Sequence, residues 1–272
     1  MSRHWVRQVV CWLWCVGLAM PAWADLESGL KAYRAQKYDV ALKEFRSLAK
    51  KGDQQAQKYL GYMYLQGQGV KTDPTQAAGW FKQSAEQGDA EAQQSLGWLY
   101  RVGNGVPQDL EKAFEWFRKS ADQGNAAALT NVGYMYYTGQ GARQDFTRAL
   151  DAFKKAAAQG DLMAINNVGG MYQEGQGVQQ NYGEALRWYT IAADKGLPLA
   201  MYNLGEFYDK GWGVPQSALN ALKWYRRAAE AGNELAMERL GAIYEHGELG
   251  EQIDTKLAQE WYDKAQAVRG GQ

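Results

Sequence analysis

The chain has few of the residues that build reactive sites. It contains two cysteines and two histidines in 272 residues, and Cys11, Cys15 and His4 all lie among the first 24. We predict below that those 24 residues are removed, which leaves one histidine, His246, and no cysteine. That excludes disulfides, cysteine nucleophiles and thiolate or histidine-cluster metal sites. We therefore expect no metal and no cofactor.

An excess of charge of one sign is also missing. The 30 basic and 30 acidic residues balance, whereas a nucleic-acid-binding chain carries a basic excess. No apolar run after the first 24 residues is long enough to span a bilayer, so we expect no membrane insertion of the mature protein.

The first 24 residues are typical of a secretory signal peptide. Arg3 and Arg7 precede an apolar run over residues 9–20, and Ala22-Trp23-Ala24 fits an Ala-x-Ala cleavage site. The apolar run is shorter than the roughly 20 residues of a transmembrane helix. The sequence predicts cleavage after Ala24 and a periplasmic protein, with release from the cell as the alternative.

A repeat of 36 residues dominates the remainder. Three series of identical residues recur at this spacing: Ala56, Ala92, Ala128, Ala164, Ala200 and Ala236; Gly61, Gly97, Gly133, Gly169, Gly205 and Gly241; Tyr64, Tyr100, Tyr136, Tyr172, Tyr208 and Tyr244. A period in this range indicates stacked supersecondary units rather than one globular core.

Each unit is predicted to be a helical hairpin. In residues 53–88 the first helix has an apolar stripe and ends at Gly67, because glycine accepts the left-handed conformation. Asp73-Pro74 starts the second helix, which Gly88 ends. A mid-helix glycine such as Gly61 costs about 1 kcal/mol relative to alanine. Its recurrence predicts close helix approach, with Tyr64 and an aromatic of the second helix packed around it.

The motif Ala-x-x-x-Leu-Gly-x-x-Tyr-x-x-Gly-x-Gly-Val, followed by Ala-x-x-Trp-Phe/Tyr-x-x-Ala-Ala-x-x-Gly, resembles the Sel1-like repeat. That family is a subclass of tetratricopeptide-type α-solenoids. The resemblance implies an all-α, right-handed α-solenoid of about seven helix hairpins. We assign 1–24 to the signal peptide and 25–52 to a tetratricopeptide-like N-terminal cap. Residues 53–272 form six Sel1-like repeats, of which the last is atypical because it carries an extra residue within 248–251.

Two motifs with catalytic associations lack their companions. Ser47 and Lys50 match the Ser-x-x-Lys pattern of penicillin-recognising enzymes, but Ser-Asp-Asn and Lys-Thr-Gly are absent. The recurrent Gly-x-Gly loops, such as 67–69, have no third glycine in place for a phosphate-binding loop. We therefore expect no catalytic and no cofactor-binding residues, and we predict that the protein is not an enzyme.

The resemblance implies that the first helices line a concave groove. With Ala56, Leu60 and Tyr64 buried, positions 58, 62 and 65 of the unit are predicted to face outward at about 100° per residue. The predicted partner-binding residues on these columns are Tyr62, Trp98, Arg101, Tyr134 and Tyr137. Tyrosine, tryptophan and arginine are enriched in interface hot spots; the alternative is that the rings pack on neighbouring repeats. The same columns predict a solvated acidic face at Glu206, Asp209, Glu238 and Glu245.

These observations predict a non-catalytic periplasmic scaffold or adaptor that binds a protein or peptide partner in the groove. One alternative, from the resemblance, is an immunity protein that neutralises a type VI secretion lipase effector. A second alternative is a regulator of envelope or cell-wall enzymes or of a sensor kinase. An enzyme acting on cell-wall or β-lactam substrates is the remaining alternative.

Overall fold

The computed structural model describes residues 22–270, which contain α-helices, one short 3₁₀ turn and no strand. They divide into two compact units at Asp89 and Ala90. The first unit holds α1 (Ala22–Arg34), α2 (Tyr38–Lys50), α3 (Gln54–Gln66) and α4 (Pro74–Glu86). The second unit holds α5 (Ala90–Val102), α6 (Leu110–Asp122), α7 (Ala126–Thr138), α8 (Phe146–Ala158), α9 (Leu162–Glu174), α10 (Tyr182–Asp194), α11 (Pro198–Lys210), α12 (Ala218–Glu230), α13 (Glu234–His246) and α14 (Thr255–Gly270).

Consecutive helices pair as antiparallel hairpins, and local sequence fixes their ends. The Asp73 side chain accepts a hydrogen bond from the Gln76 amide at 3.0 Å, and Pro74 follows in the first turn of α4. Gly67 ends α3 in the left-handed region, with φ of 71°. The predicted start of the second helix and end of the first are therefore confirmed.

A glycine–aromatic contact holds the two helices of each hairpin together. A Cβ atom on Gly61 would lie 2.6 Å from the Phe81 ring, so only glycine admits this approach. The equivalent pairs are Gly97–Phe117, Gly133–Phe153, Gly169–Tyr189, Gly205–Tyr225 and Gly241–Tyr262. The predicted aromatic of the second helix is thus confirmed. The three atoms nearest to the Cβ position on Gly61 all belong to Phe81. The hydroxyl of Tyr64 accepts a hydrogen bond from Arg46 on α2 at 2.8 Å, and the packing of its ring around Gly61 stays a prediction.

The hairpin of α1 and α2 has the same contact across a shorter turn. A Cβ atom on Gly29 would lie 2.7 Å from Phe45. Gly29 does not stand in the 36-residue register because only residues 35–37 separate α1 from α2. In the last hairpin the 3₁₀ turn Glu248–Gly250 takes up the extra residue, so that Tyr262 still meets Gly241.

The predicted signal peptide lies outside the described residues except for its last three, 22–24, at the start of α1. Within residues 22–270, no helix combines the length and the apolarity that crossing a bilayer requires.

Candidate partner-binding site

Tyr62, the predicted anchor in the first unit, is half-buried on α3. Its ring meets Phe81 edge-on, with centroids 5.0 Å apart and planes at 75°, and it meets Tyr59 at 6.4 Å. The ring therefore takes part in the packing of its own hairpin and stays partly exposed.

Trp98 and Arg101, on α5 of the second unit, are also engaged within the fold. The half-buried Trp98 ring packs against the core cluster that contains Phe117 and Val132. Arg101 donates a hydrogen bond from Nη1 to Asn131 Oδ1 at 3.2 Å, which holds its guanidinium against α7. Both residues retain partial exposure, so they border the surface of the first helices.

Tyr134 is the most accessible of the predicted anchors. It exposes 44% of its surface on α7, and no other aromatic residue with a described side chain reaches the exposed class. A ring that exposes this much of its surface points to an interaction surface more directly than a half-buried one.

A small cleft lies beside Tyr134, between α7 and α9. Its volume is about 150 Å³, and its lining comprises Tyr134, Tyr137, Phe153, Asn166, Asn167, Gly170, Met171 and Glu174. Phe153 and Met171 are buried and form the apolar floor. Of the predicted anchors in the second unit, the structure thus brings Tyr134 and Tyr137 together at one cavity.

Gly170 leaves the cleft open. It holds the helix position that Trp98 and Tyr134 hold in the two preceding repeats. A Cβ atom on Gly170 would meet only the Tyr189 hydroxyl, at 3.5 Å, which is an ordinary contact. Packing does not require this glycine, in contrast to its neighbour Gly169.

Polar groups rim the cleft. The Tyr137 hydroxyl donates a hydrogen bond to Glu174 at 3.4 Å, and its ring meets Phe146 edge-on at 5.5 Å. Burial, followed by the Glu174 charge, raises the pKa of Tyr137, so its hydroxyl stays a donor at neutral pH. Asn166 is buried, and its Oδ1 accepts a hydrogen bond from Asn203 at 2.9 Å.

The predicted solvated acidic face is wrong at Asp209, whereas Glu245 is exposed and Glu206 and Glu238 are half-buried. Asp209 is buried and accepts hydrogen bonds from Tyr225 at 3.3 Å and Arg239 at 2.9 Å. The Tyr262 hydroxyl donates to Glu245 at 2.8 Å, and Arg269 donates to Glu238 at 2.6 Å. Asp209 and Glu245 have tyrosine partners because position 65 of the unit lies beside the second-helix ring of its own hairpin. Glu238 is at position 58 and pairs with Arg269 on α14 instead.

Ser47 and Lys50, the residues of the Ser-x-x-Lys pattern, lie one turn apart on α2 and line one open surface depression with other residues of that helix. Ser47 and Lys50 are exposed on α2, and no group of three or more His, Cys, Asp or Glu side chains within residues 22–270 is placed to hold a metal ion.

The 36-residue units have known relatives. The Sel1 repeat model matches residues 54–89, 90–125, 126–161, 162–197, 198–233 and 235–265. The chain belongs to the Sel1 repeat family. This confirms the six predicted repeats and the all-α repeat solenoid. Sel1 repeat proteins act generally as scaffolds for protein–protein interaction.

Solved structures agree with this assignment. A Sel1 repeat protein from Oxalobacter formigenes is 34% identical with a TM-score of 0.85, over 89% of this chain and 96% of that one. A protective antigen of uropathogenic Escherichia coli with an SLR fold is 35% identical with a TM-score of 0.78; the match covers 91% of this chain and 54% of the antigen.

An immunity protein from Pseudomonas aeruginosa is 20% identical, with a TM-score of 0.56 over 80% of this chain and 82% of its own. At that identity the likeness shows the fold alone. The search of curated proteins found no match.

Proposed function

We propose that this Sel1 repeat protein is a non-catalytic periplasmic scaffold that binds a protein or peptide partner on its first-helix surface. Tyr134 and Tyr137 are the central anchors, and the cleft between α7 and α9 receives a side chain of the partner. The observation that carries the proposal is the position of Tyr134, the one exposed aromatic ring among the described side chains, at the rim of an open apolar cavity. A ring beside a pocket is the usual arrangement of an interface hot spot.

Trp98 and Arg101 extend this surface on α5. Their side chains are held by packing and by the Asn131 hydrogen bond, so they lose little conformational entropy when a partner binds. Tyr62 gives the first unit a comparable half-exposed ring edge. Within the second unit we propose that Tyr134 and Tyr137 contribute most and Trp98 and Arg101 less, and Tyr62 is proposed as an anchor of the first unit by itself.

The experiment is affinity capture of the tagged protein from periplasmic extract of its source organism, followed by mass spectrometry. Wild type is compared with Tyr134→Ala and Trp98→Ala. The control is Leu219→Ala, which removes an apolar side chain that is 79% exposed on α12, the second helix of its hairpin. We expect one dominant partner that Tyr134→Ala loses, that Trp98→Ala retains weakly and that Leu219→Ala retains fully. Recovery of the same proteins with all three variants would refute the site.

The captured partner also separates the finer alternatives. A secreted lipase would identify an immunity protein, and a wall enzyme or a sensor domain would identify a regulator. Similarity in fold to an immunity protein at 20% identity supports the first alternative only through its architecture.

A further inference from the structure

The cleft beside Tyr134 has the size of a single side chain. Its volume is about 150 Å³. An engineered protein cavity of about that volume holds one benzene molecule. The cleft opens at the surface of α7 and α9, so a side chain of a bound segment reaches it without a change in the fold.

The walls of the cleft are suited to a cation. Tyr134, Tyr137 and Phe153 supply three aromatic rings, and Met171 adds a polarisable thioether. Ring faces carry partial negative charge and attract ammonium and guanidinium groups within about 6 Å. The same protein uses this contact elsewhere, with the Lys119 ammonium 4.0 Å from the Trp116 ring centroid.

A carboxylate without a cationic partner stands at the rim. Glu174 is exposed, and its described contact is the hydrogen bond that it accepts from Tyr137 at 3.4 Å. Among the described residues, no lysine or arginine forms an ion pair with it. A bound cationic group would supply the missing partner.

A second acidic residue, on the adjacent repeat, acts on the Tyr189 hydroxyl, which lies beside Gly170. Glu206, on α11, holds the helix position of Gly170 and is half-buried. Burial raises the pKa of Glu206 even though Lys210 and Arg239 act in the opposite direction. Burial is the largest cause of the raised pKa of Tyr189, and the negative charges of Glu174 and Glu206 raise it further. The lining itself contains no cation.

We infer that the cleft selects a basic side chain, lysine or arginine, from an extended segment of the partner. The alkyl part of that side chain would lie on Phe153 and Met171, the charged group would lie between the tyrosine rings and Glu174, and Asn167 would face the segment's backbone. This inference rests on the proposed function and adds the chemistry of the residue that the partner presents.

The test uses side-chain analogues and Met171 as a reporter. The purified protein, labelled with ¹³C at methionine methyl groups, is titrated with N-butylguanidinium chloride and separately with the neutral isostere N-butylurea. The Met171 signal is assigned from Met171→Leu. We expect the guanidinium probe to shift this signal with an affinity about tenfold higher than that of the urea. Added salt should weaken the guanidinium response alone, because salt screens exposed charges.

Two variants and one control separate the contribution of the Glu174 charge from that of the cleft volume. Glu174→Gln should lower the guanidinium affinity several-fold and leave the urea response unchanged, whereas Gly170→Leu should abolish both responses by filling the cleft. Glu260→Gln, an exposed carboxylate on α14, is the matched control and should change neither.

Equal responses to the two probes would overturn the charge selection and leave the proposed function intact. No response of Met171 to either probe would also overturn it. Failure of the proposed function is read separately, from the loss or retention of the captured partner in Tyr134→Ala.

Discussion

The hydroxyl groups of three second-helix tyrosines form hydrogen bonds with polar residues of the C-terminal repeats. In the six Sel1 repeats the second-helix ring is phenylalanine at 81, 117 and 153 but tyrosine at 189, 225 and 262. Each tyrosine hydroxyl donates a hydrogen bond to the first helix of its hairpin, and the acceptors are Gln173, Asp209 and Glu245. Where the ring is phenylalanine, the corresponding residues are Leu65, Arg101 and Tyr137, which need no hydroxyl partner.

The paired change of ring and acceptor is visible in the sequence. The change from phenylalanine to tyrosine coincides with the change from Leu, Arg and Tyr to Gln, Asp and Glu at the paired position. A helical wheel drawn for one helix does not connect the two positions, because they lie on different helices. The acidic residues therefore look solvated in sequence although Asp209 is buried.

Glu206 makes the stability of the folded protein depend on pH. The pKa of Glu206 is raised in the folded state, so the ionised carboxylate destabilises the folded protein. This destabilisation is present at neutral pH and disappears below the unfolded pKa of a glutamate, about 4.3, where both states are protonated. Glu206→Gln keeps an acceptor for Tyr202 and removes the charge. We expect the variant to be more stable than wild type at pH 7, with the difference closing by pH 3.5, in urea unfolding followed by circular dichroism. A difference that grows on acidification would contradict the assignment.

At the scale of the helices, local chemistry fixes most of what is seen. Capping residues and left-handed glycines act within one turn, so the sequence predicts the ends of α3 and α4. The glycine–aromatic contact was predictable as well, because an unexplained cost that recurs in every repeat requires a close approach.

Burial of the first helices was predicted less well, since each packs on more than one neighbour. Within the first unit α3 contacts both α2 and α4, and within the second unit α9 contacts both α8 and α10. Position 58, expected to face outward, is therefore buried at Lys58 and Asn166. Lys58 forms an ion pair with Asp89 at 3.3 Å. A pattern based on a single stripe misses this second buried face.

Two adjacent glycines of α9 provide a matched test of hairpin packing. A Cβ atom on Gly169 would lie 2.8 Å from the Tyr189 ring, whereas one on Gly170 makes only an ordinary contact at 3.5 Å. We expect Gly169→Ala to destabilise the protein by about 1–3 kcal/mol through overpacking. Gly170→Ala should stabilise it by about 0.5–1 kcal/mol through helix propensity. Chemical unfolding followed by circular dichroism measures both; equal shifts would show that ring contact does not set the glycine requirement.

At the scale of the molecule, near-identical hairpins make the differences between repeats informative. Along one first-helix position of the second unit the residues are Trp98, Tyr134, Gly170, Glu206 and Ala242: two rings, then a glycine, an acid and an alanine. The 36-residue period predicts the solenoid. The residues at this one helix position predict which repeats present an aromatic ring. The cleft itself was not predictable, because its volume depends on how Phe153 and Met171 fill the space below Gly170.

The most direct test of the account is the affinity of the captured partner for Gly170→Leu, measured by isothermal titration calorimetry beside wild type and Gly79→Leu. Gly79 is the matched control, a helical glycine on α4 around which a Cβ atom would meet nothing within 4 Å. If the cleft receives a side chain of the partner, Gly170→Leu should weaken binding by about tenfold or more, and Gly79→Leu should leave it unchanged. Wild-type affinity in the folded Gly170→Leu protein would contradict the central claim that the partner binds at this cleft.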